Sequence, residues 1–557
     1  MATTRSLERA MAAVGRLIDQ AVPVFAHHQG IANGGALFAL PALTSQGLLL
    51  YKQVYDNLSN GYYGLQSTIL TIAFMALCRI KNPEQLKQHN AGELGALIGL
   101  DRVPEVRCLR EKIKQVVAQN KAQQYNGILL NHWLKNEDEF FFYIDGHVRI
   151  YYGHGANLPL KYVSRQKLCL SATTEYWVND MEGLPYLVFM GELNEKMQEV
   201  IEHRIVPELK INTSIAKRIS TNEKVLFTLV FDRECYEPAF FQRLWTDHQI
   251  AVITYRKNVT GKWGEALFKP YKTTVIGNSV TVLLCEQQTT LGDHPFREVR
   301  SLTESGHQTA IITTNPDITI DQIASKMFSR WSQENYFKYL IADYNFDKMI
   351  QYGTETIDET RKIVNPEYRK ITHRIKKLTE KIQRQEAKFY TVIDQVHTQP
   401  IDHIITLSRK QQKATVAIEM LKSDKEILQK QRADMPHKIT LKDMPDATRY
   451  NKLKTESKLF MNIIKMICYR AETAMAELIS PHFYKQSNEK RMLIKQLFNT
   501  PADMMVNEQN QTLTITIASL SATRYNDAIK ELCTTLNQTE TVFPGTNLKL
   551  IYKNNAN

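Results

Sequence analysis

Apolar residues recur along this chain with more than one period, and the period changes at identifiable places. Up to about residue 130 the pattern is helical. Three pieces carry it: STILTIAFMALCRI (67–80), AGELGALIGL (91–100) and PEVRCLREKIKQVVAQ (104–119). Pro104 is placed as a first helical residue, where its missing N–H costs nothing. From residue 139 the pattern turns to strands rich in aromatic and β-branched residues: EFFFYIDGHVRIYYG, KLCLSATTEYWVND and LPYLVFMGEL. A helix (194–210) follows. The run VLFTLVFD (225–232) is continuously apolar, as a strand buried on both faces would be. A helix (237–248) and a strand (251–257) complete the order β-β-β-α-β-α-β. Four more strands are predicted within 261–314. The segment 318–346 then has helical periodicity, with Ile323, Met327, Trp331, Phe337 and Leu340 facing a core. Beyond it, Ile371, Ile375, Leu378 and Ile382 recur at spacings of four, three and four, a heptad seam. The tail reads strand–helix–strand.

These elements divide the chain into a helical N-terminal domain (1–130), a mixed α/β core (135–260 and 315–350), a β-rich insertion (261–314), long helices able to form a coiled-coil arm (351–495) and a small α+β cap (496–557). Length alone requires several cores, since 557 residues exceed what one hydrophobic core supports. The first twenty residues read as an amphipathic helix without the apolar run of a signal peptide. The stretch 34–50 is interrupted by Pro41 and by Thr44-Ser45-Gln46, so a buried soluble helix is expected there and no membrane partner.

Charge adds a partner. Lys and Arg number 70 against 58 Asp and Glu, a net charge of +12, which suits a polyanion such as double-stranded DNA. Helix, short turn, then a helix bearing Arg107, Arg110, Lys112 and Lys114 is the layout of a DNA-reading helix-turn-helix. Any helical hairpin with a basic second helix has the same appearance. The basic long helices after 355 are a second DNA-contacting candidate, and their seam serves equally as a dimer interface or as a hairpin within one chain. The seven cysteines form no C-x-x-C pair and read as reduced core residues of a cytosolic protein.

Three acids stand out by position. Asp145 interrupts the first strand, Asp232 ends the fourth, and Glu334 lies on the helix that follows the insertion. In the β-β-β-α-β-α-β order the first and fourth strands are neighbours, so Asp145 and Asp232 can meet, and a helix packed back on the sheet can bring Glu334 to them. Converging carboxylates are costly unless a cation neutralises them. Oxygen ligands suit Mg²⁺, and two such ions ~3.5–4 Å apart can activate a water and stabilise the leaving oxygen of a phosphodiester. Each acid also has an ordinary reading: a turn at Asp145-Gly146, a helix cap at Asp232, and an i,i+4 ladder of Glu334 with Arg330 and Lys338.

At these residues the chain resembles the DDE transposases of bacterial insertion sequences. The resemblance is carried by YIDGHVRIYYG, YVSRQKLCLSATTEYWVND, LVFDRECYEPAFFQRLW, ITYRKN and RWSQENYFKYLIADYNFDKMIQYG, and spans roughly residues 90–375. It implies a ribonuclease-H-like core with a β insertion. The catalytic, metal-holding acids fall on Asp145, Asp232 and Glu334. Two Mg²⁺ ions are implied, replaceable by Mn²⁺. Transposon ends and target DNA would be bound by a homodimer in a prokaryotic, nucleoid-associated setting. Around the glutamate the family carries Tyr, two residues, Arg, three residues, Glu, six residues, Lys. Here Arg330 and Glu334 fit, Met327 stands for Tyr and Ile341 for Lys. Lys338, one turn from Glu334, can take a phosphate contact beside Arg330. The expected activity is metal-dependent cleavage at element ends followed by strand transfer. The alternatives are an inactive DNA-binding relic and a ribonuclease-H-like nuclease without strand transfer.

Overall fold

The computed structural model describes the chain except for residues 1–4, 17–19, 60, 164–165, 192–194, 347–352, 397–400, 447–448, 484–486 and 556–557. The ends of the predicted N-terminal helix and part of the 330–353 stretch therefore lie outside the described residues. Two compact units are present. One comprises Met1–Tyr151, Lys161–Tyr352 and Lys454–Asn557; the other comprises Tyr152–Leu160 and Gly353–Leu453.

In the larger unit the N-terminal helices include α1 (Leu65–Leu77) and α2 (Val106–Ala118). Glu105 stands at the N-cap position of α2, so Pro104 precedes the helix instead of opening it. The central sheet follows: β1 (Phe141–Ile150), β2 (Leu168–Asn179), β3 (Pro185–Met190), β4 (Phe227–Phe231), then helix α3 (Pro238–His248) and β5 (Ile250–Tyr255). The region 261–314 forms β6 (Lys269–Val275), β7 (Asn278–Leu291), β8 (His294–Leu302) and β9 (Gln308–Thr313). Along the sheet the order is β2–β1–β4–β5–β9–β8–β7–β6, with β3 paired to β2. β1 runs antiparallel to β2 and parallel to β4, and β4 runs parallel to β5. The inserted strands thus extend the same sheet by way of the β5–β9 antiparallel pair.

Strand alternation sorts the sheet's two faces. Tyr143, Val230 and Ile253 pack with Ile323, Ala324 and Met327 of α4 (Ile320–Phe328). Phe142, Ile144, Leu229, Phe231 and Val252 point to the other face and belong to the large core. Asp145 and Asp232 therefore share the face of Tyr143 and Val230. Helix α5 (Trp331–Tyr344) lies on that face, with the Phe337 ring stacked 5.1 Å from His147.

The predicted single helix over 318–346 is two helices, broken at Ser329 and Arg330. The break shifts the helical phase. Ile323, Met327, Phe337 and Leu340 are buried as expected, but Trp331 is 53% exposed and is no core residue. The alternative reading of Asp145-Gly146 as a turn does not hold, because β1 continues through both residues.

The smaller unit contains α6 (Pro366–Val396) and α7 (Ile401–Ala433), which pack on each other. Ile375 and Ile382 are buried there, so the heptad seam closes within one chain as a hairpin. Short strands Lys362–Val364 and Lys438–Thr440 pair at its base.

After the hairpin the chain returns to the larger unit as α8 (Glu456–Leu478), buried along most of its length. The tail supplies β10 (Ala502–Asn507), β11 (Thr512–Ile517), α9 (Thr523–Gln538) and β12 (Lys549–Asn554), with the β11–β12 pair parallel. The segment His28–Ile31 joins this sheet beside β10. Among the described residues no helix is long and apolar enough to cross a membrane.

Candidate active site

Asp145 follows Ile144 on β1, and Ile144 is in register with Phe231 on β4. Asp232 follows Phe231, so the parallel pairing sets the two acids on adjacent strands at the same level. Each carboxylate has one local hydrogen bond. Gly146 N donates to Asp145 Oδ1 at 2.9 Å, and Arg233 N donates to Asp232 Oδ1 at 2.6 Å. The second bond makes Asp232 the cap of a short 3₁₀ turn, so its ordinary role and its position in the site coexist.

Glu334 lies in the first turn of α5, and two buried neighbours fix that turn to the sheet. Gln333 Nε2 donates to Asn179 Oδ1 at 2.8 Å and to Tyr143 O at 3.1 Å. Ser332 Oγ donates to Met181 O at 2.7 Å. On the preceding helix, Tyr143 Oη donates to Lys326 O at 2.7 Å. The β2–β3 turn abuts the same place. Gly183 has φ +89°, and a Cβ there would stand 2.8 Å from Ser332 O. Gly183→Ala is expected to cost ~1–3 kcal/mol through this clash and the strained backbone. A lowered denaturation midpoint checks the cost, and reduced activity is expected with it because the clash bears on the residue two before Glu334.

Arg330, in the helix break, joins the acids. Its Nη2 is 2.9 Å from Glu334 Oε1 and 3.6 Å from Asp232 Oδ2. The predicted Arg330–Glu334 ladder is therefore formed, and it lies inside the acidic cluster instead of on a solvated face. Lys338 is exposed, with Nζ 5.8 Å from the Trp331 ring centroid. Among the described residues no three His, Cys, Asp or Glu side chains are drawn into a ready metal site. The Arg330 guanidinium contacts two of the acids that would have to close up.

A fourth acid, Glu234, belongs to the cluster and was not singled out in the sequence. Its only signal there is its place two residues after Asp232. Burial pushes its carboxyl above the usual range, with Lys161 opposing and Asp232 adding to the shift. The Asp145 carboxyl is pushed up to about 7, chiefly by burial; Arg330 opposes this, while Glu234 and Asp232 reinforce it. An unfolded aspartate titrates near ~3.9, so between that pH and about 7 the folded chain holds the extra proton. Stability contributed by this group is therefore lost as pH rises through that window. Asp145→Asn is expected to abolish this fall. Urea denaturation at about pH 5 and about pH 8 without divalent cations would show a steeper loss in the original chain than in the variant.

The three acids, the cationic residue among them and the sheet order are now joined by a comparison. Residues 1–556 match the family named Transposase_29, described as "Transposase protein". The chain belongs to this transposase family. It is thus an enzyme that acts on DNA. No curated protein matches the sequence. Among solved structures, the piggyBac transposase synaptic complex with hairpin DNA is similar at 9% identity, over 86% of this chain and 88% of that one, with a TM-score of 0.28. That likeness is too slight to transfer geometry or contacts.

In this transposase three of the four predicted DNA-contacting side chains of α2 lie exposed, but two of those are already paired. Arg110 forms an ion pair with Glu84, and Lys114 with Glu111 at 2.7 Å. Arg107 is exposed, whereas Lys112 is buried and donates to Ser59 O at 3.3 Å.

Proposed function

We propose that this transposase is of the DDE type, with a ribonuclease-H-like core, and that it cleaves the ends of a bacterial insertion element and joins them to target DNA. The observation that carries this reading is the meeting of Asp232 and Glu334 on one guanidinium, with Asp145 on the adjacent strand beside them. The sheet order supports the fold assignment: three antiparallel strands (β1–β3), then two added parallel to the first.

The donor set fits a hard divalent cation. It consists of carboxylate oxygens, and the Asp145 carboxyl, raised chiefly by burial, would be returned to its charged form by a bound cation. Asp145, Asp232 and Glu334 would hold Mg²⁺. When bound, that cation supplies Lewis-acid charge for attack on a phosphodiester by water or by a 3′-hydroxyl. The chain's own part is positioning. β1 and β4 fix two carboxylates at one level, and Gln333 and Ser332 fix the third through α5. Arg330 and the exposed Lys338 would hold the phosphate of the scissile strand, since they lie one turn before and one turn after Glu334 along the same side of the helix. Two DNA ends brought together imply two copies of the chain in the working complex.

The test is a nicking assay on DNA carrying the element's own termini, with Mg²⁺ or with EDTA. Cleavage only with Mg²⁺, and joined products after it, supports the assignment. End cleavage without joining would reduce it to a nuclease. Binding without cleavage under every divalent ion would make it a relic.

A further inference from the structure

The hairpin of α6 and α7 carries a row of cations that the active site does not use. Lys370, Arg374, Lys377, Lys381 and Arg384 recur at spacings of four, three, four and three. That spacing puts them on one stripe of α6, each of the first four one residue before a seam position. The stripe is ~21 Å long at 1.5 Å per residue, about six base pairs of duplex. All five side chains are exposed. Lys370 pairs with Glu367 at 2.6 Å. Among the described residues Arg374, Lys377, Lys381 and Arg384 have no carboxylate partner, in contrast to Arg110 and Lys114 of α2. Arg374, Lys377 and Lys381 also border a shallow groove of about 410 Å³ between the two helices, floored by Leu378 and Ile427, with Asp424 as its one acid.

Cations held at close spacing repel one another, and a stripe with so few counter-charges is costly to keep unless an anion of matching length covers it. We propose that this stripe is a docking surface for the phosphate backbone of duplex DNA. It reads no sequence, since its contacts are to phosphates, and its role is to hold the duplex while the acids act. The proposal rests on the transposase assignment and specifies which surface of the chain carries the DNA.

The test uses the full chain with R374Q, K377Q and K381Q combined, and R374K, K377R and K381R combined as the charge-preserving control. Fluorescence anisotropy with a labelled duplex over a salt series reads the binding. The neutral triple variant is expected to weaken binding to every sequence alike and to reduce the slope of log K against log salt by roughly 2.7, three contacts at 0.9 each. The control is expected to keep the original slope. Circular dichroism establishes that both variants keep their helix content. An unchanged slope in the neutral variant overturns the docking surface, and so does a change in sedimentation alone, which would make the stripe an interface between copies. If that variant binds normally while the original chain still nicks DNA, only this inference falls. If the original chain binds no duplex, the functional assignment falls with it.

Discussion

Asp232→Ala is expected to lower Mg²⁺-dependent nicking of element-end DNA by about 10²–10³-fold. Asp232 closes β4 on the rung next to Asp145 and lies 3.6 Å from Arg330. Its loss removes one of the three carboxylates that would share the cation. Removing a single preorganised electrostatic contact from a catalytic site costs up to ~4 kcal/mol, which is about 10³ in rate. DNA affinity should stay within a few-fold, because the variant leaves every basic residue in place. The fold should be retained as well, since the relief of repulsion in a cluster of four acids offsets the ~0.5–2 kcal/mol lost with the cap on Arg233 N. Glu334→Gln is expected to act alike in cleavage, while removing the charge from the acceptor 2.9 Å from Arg330. A plasmid-nicking time course settles the matter. Cleavage by Asp232→Ala at the original rate would remove this residue from the chemistry.

The second large effect lies behind the site. Glu472 on α8 is fully buried and receives hydrogen bonds from Arg79 Nη2 at 2.8 Å and from Tyr344 Oη at 2.6 Å, and also one from Tyr339. The two tyrosines belong to α5, the helix that carries Glu334. Two further contacts fasten the same helices: Tyr336 packs against Tyr469 at 4.9 Å, and Lys465 Nζ donates to Tyr344 O at 2.8 Å. Glu472→Leu would leave the Arg79 guanidinium buried with only Asp343, 3.4 Å away, as counter-charge. Breaking a buried charge pair from one side costs ~3–5 kcal/mol. A drop of that size in chemical denaturation is expected, with slower nicking because α5 loses its backing. Glu472→Gln keeps the shape and part of the hydrogen bonding, so its loss should be smaller. Equal stability of Glu472→Leu and the original chain would show that α8 does not support the site.

Much of the site could be read locally. A strand that ends on a carboxylate after five buried residues is visible as VLFTLVFD, because burial on both faces demands a continuous apolar run. The neighbour relation of Asp145 and Asp232 followed from element order, since short connections and parallel crossovers leave few topologies. Trp331 was misplaced because periodicity assumes an unbroken helix, and the bend at Ser329–Arg330 resets the phase. That bend has no Gly or Pro to announce it. It is held by tertiary contacts: Tyr143 Oη on Lys326 O before it, and Gln333 and Ser332 on the sheet after it. Glu234 was overlooked for a similar reason. A carboxylate two residues beyond another looks like surface until burial brings it beside Asp145.

What the amino-acid order determined on its own was therefore most of the elements and the positions of the three candidate acids along them, because hydrophobic period and strand length act over a few residues. Contacts between distant segments were decided only by the folded chain. The seam of α6 closes on α7 of the same chain, residues 28–31 complete the C-terminal sheet, α8 passes beneath α5, and Arg330 turns inward to the acids. Each depends on which surfaces meet once the cores form, and no local pattern encodes that choice.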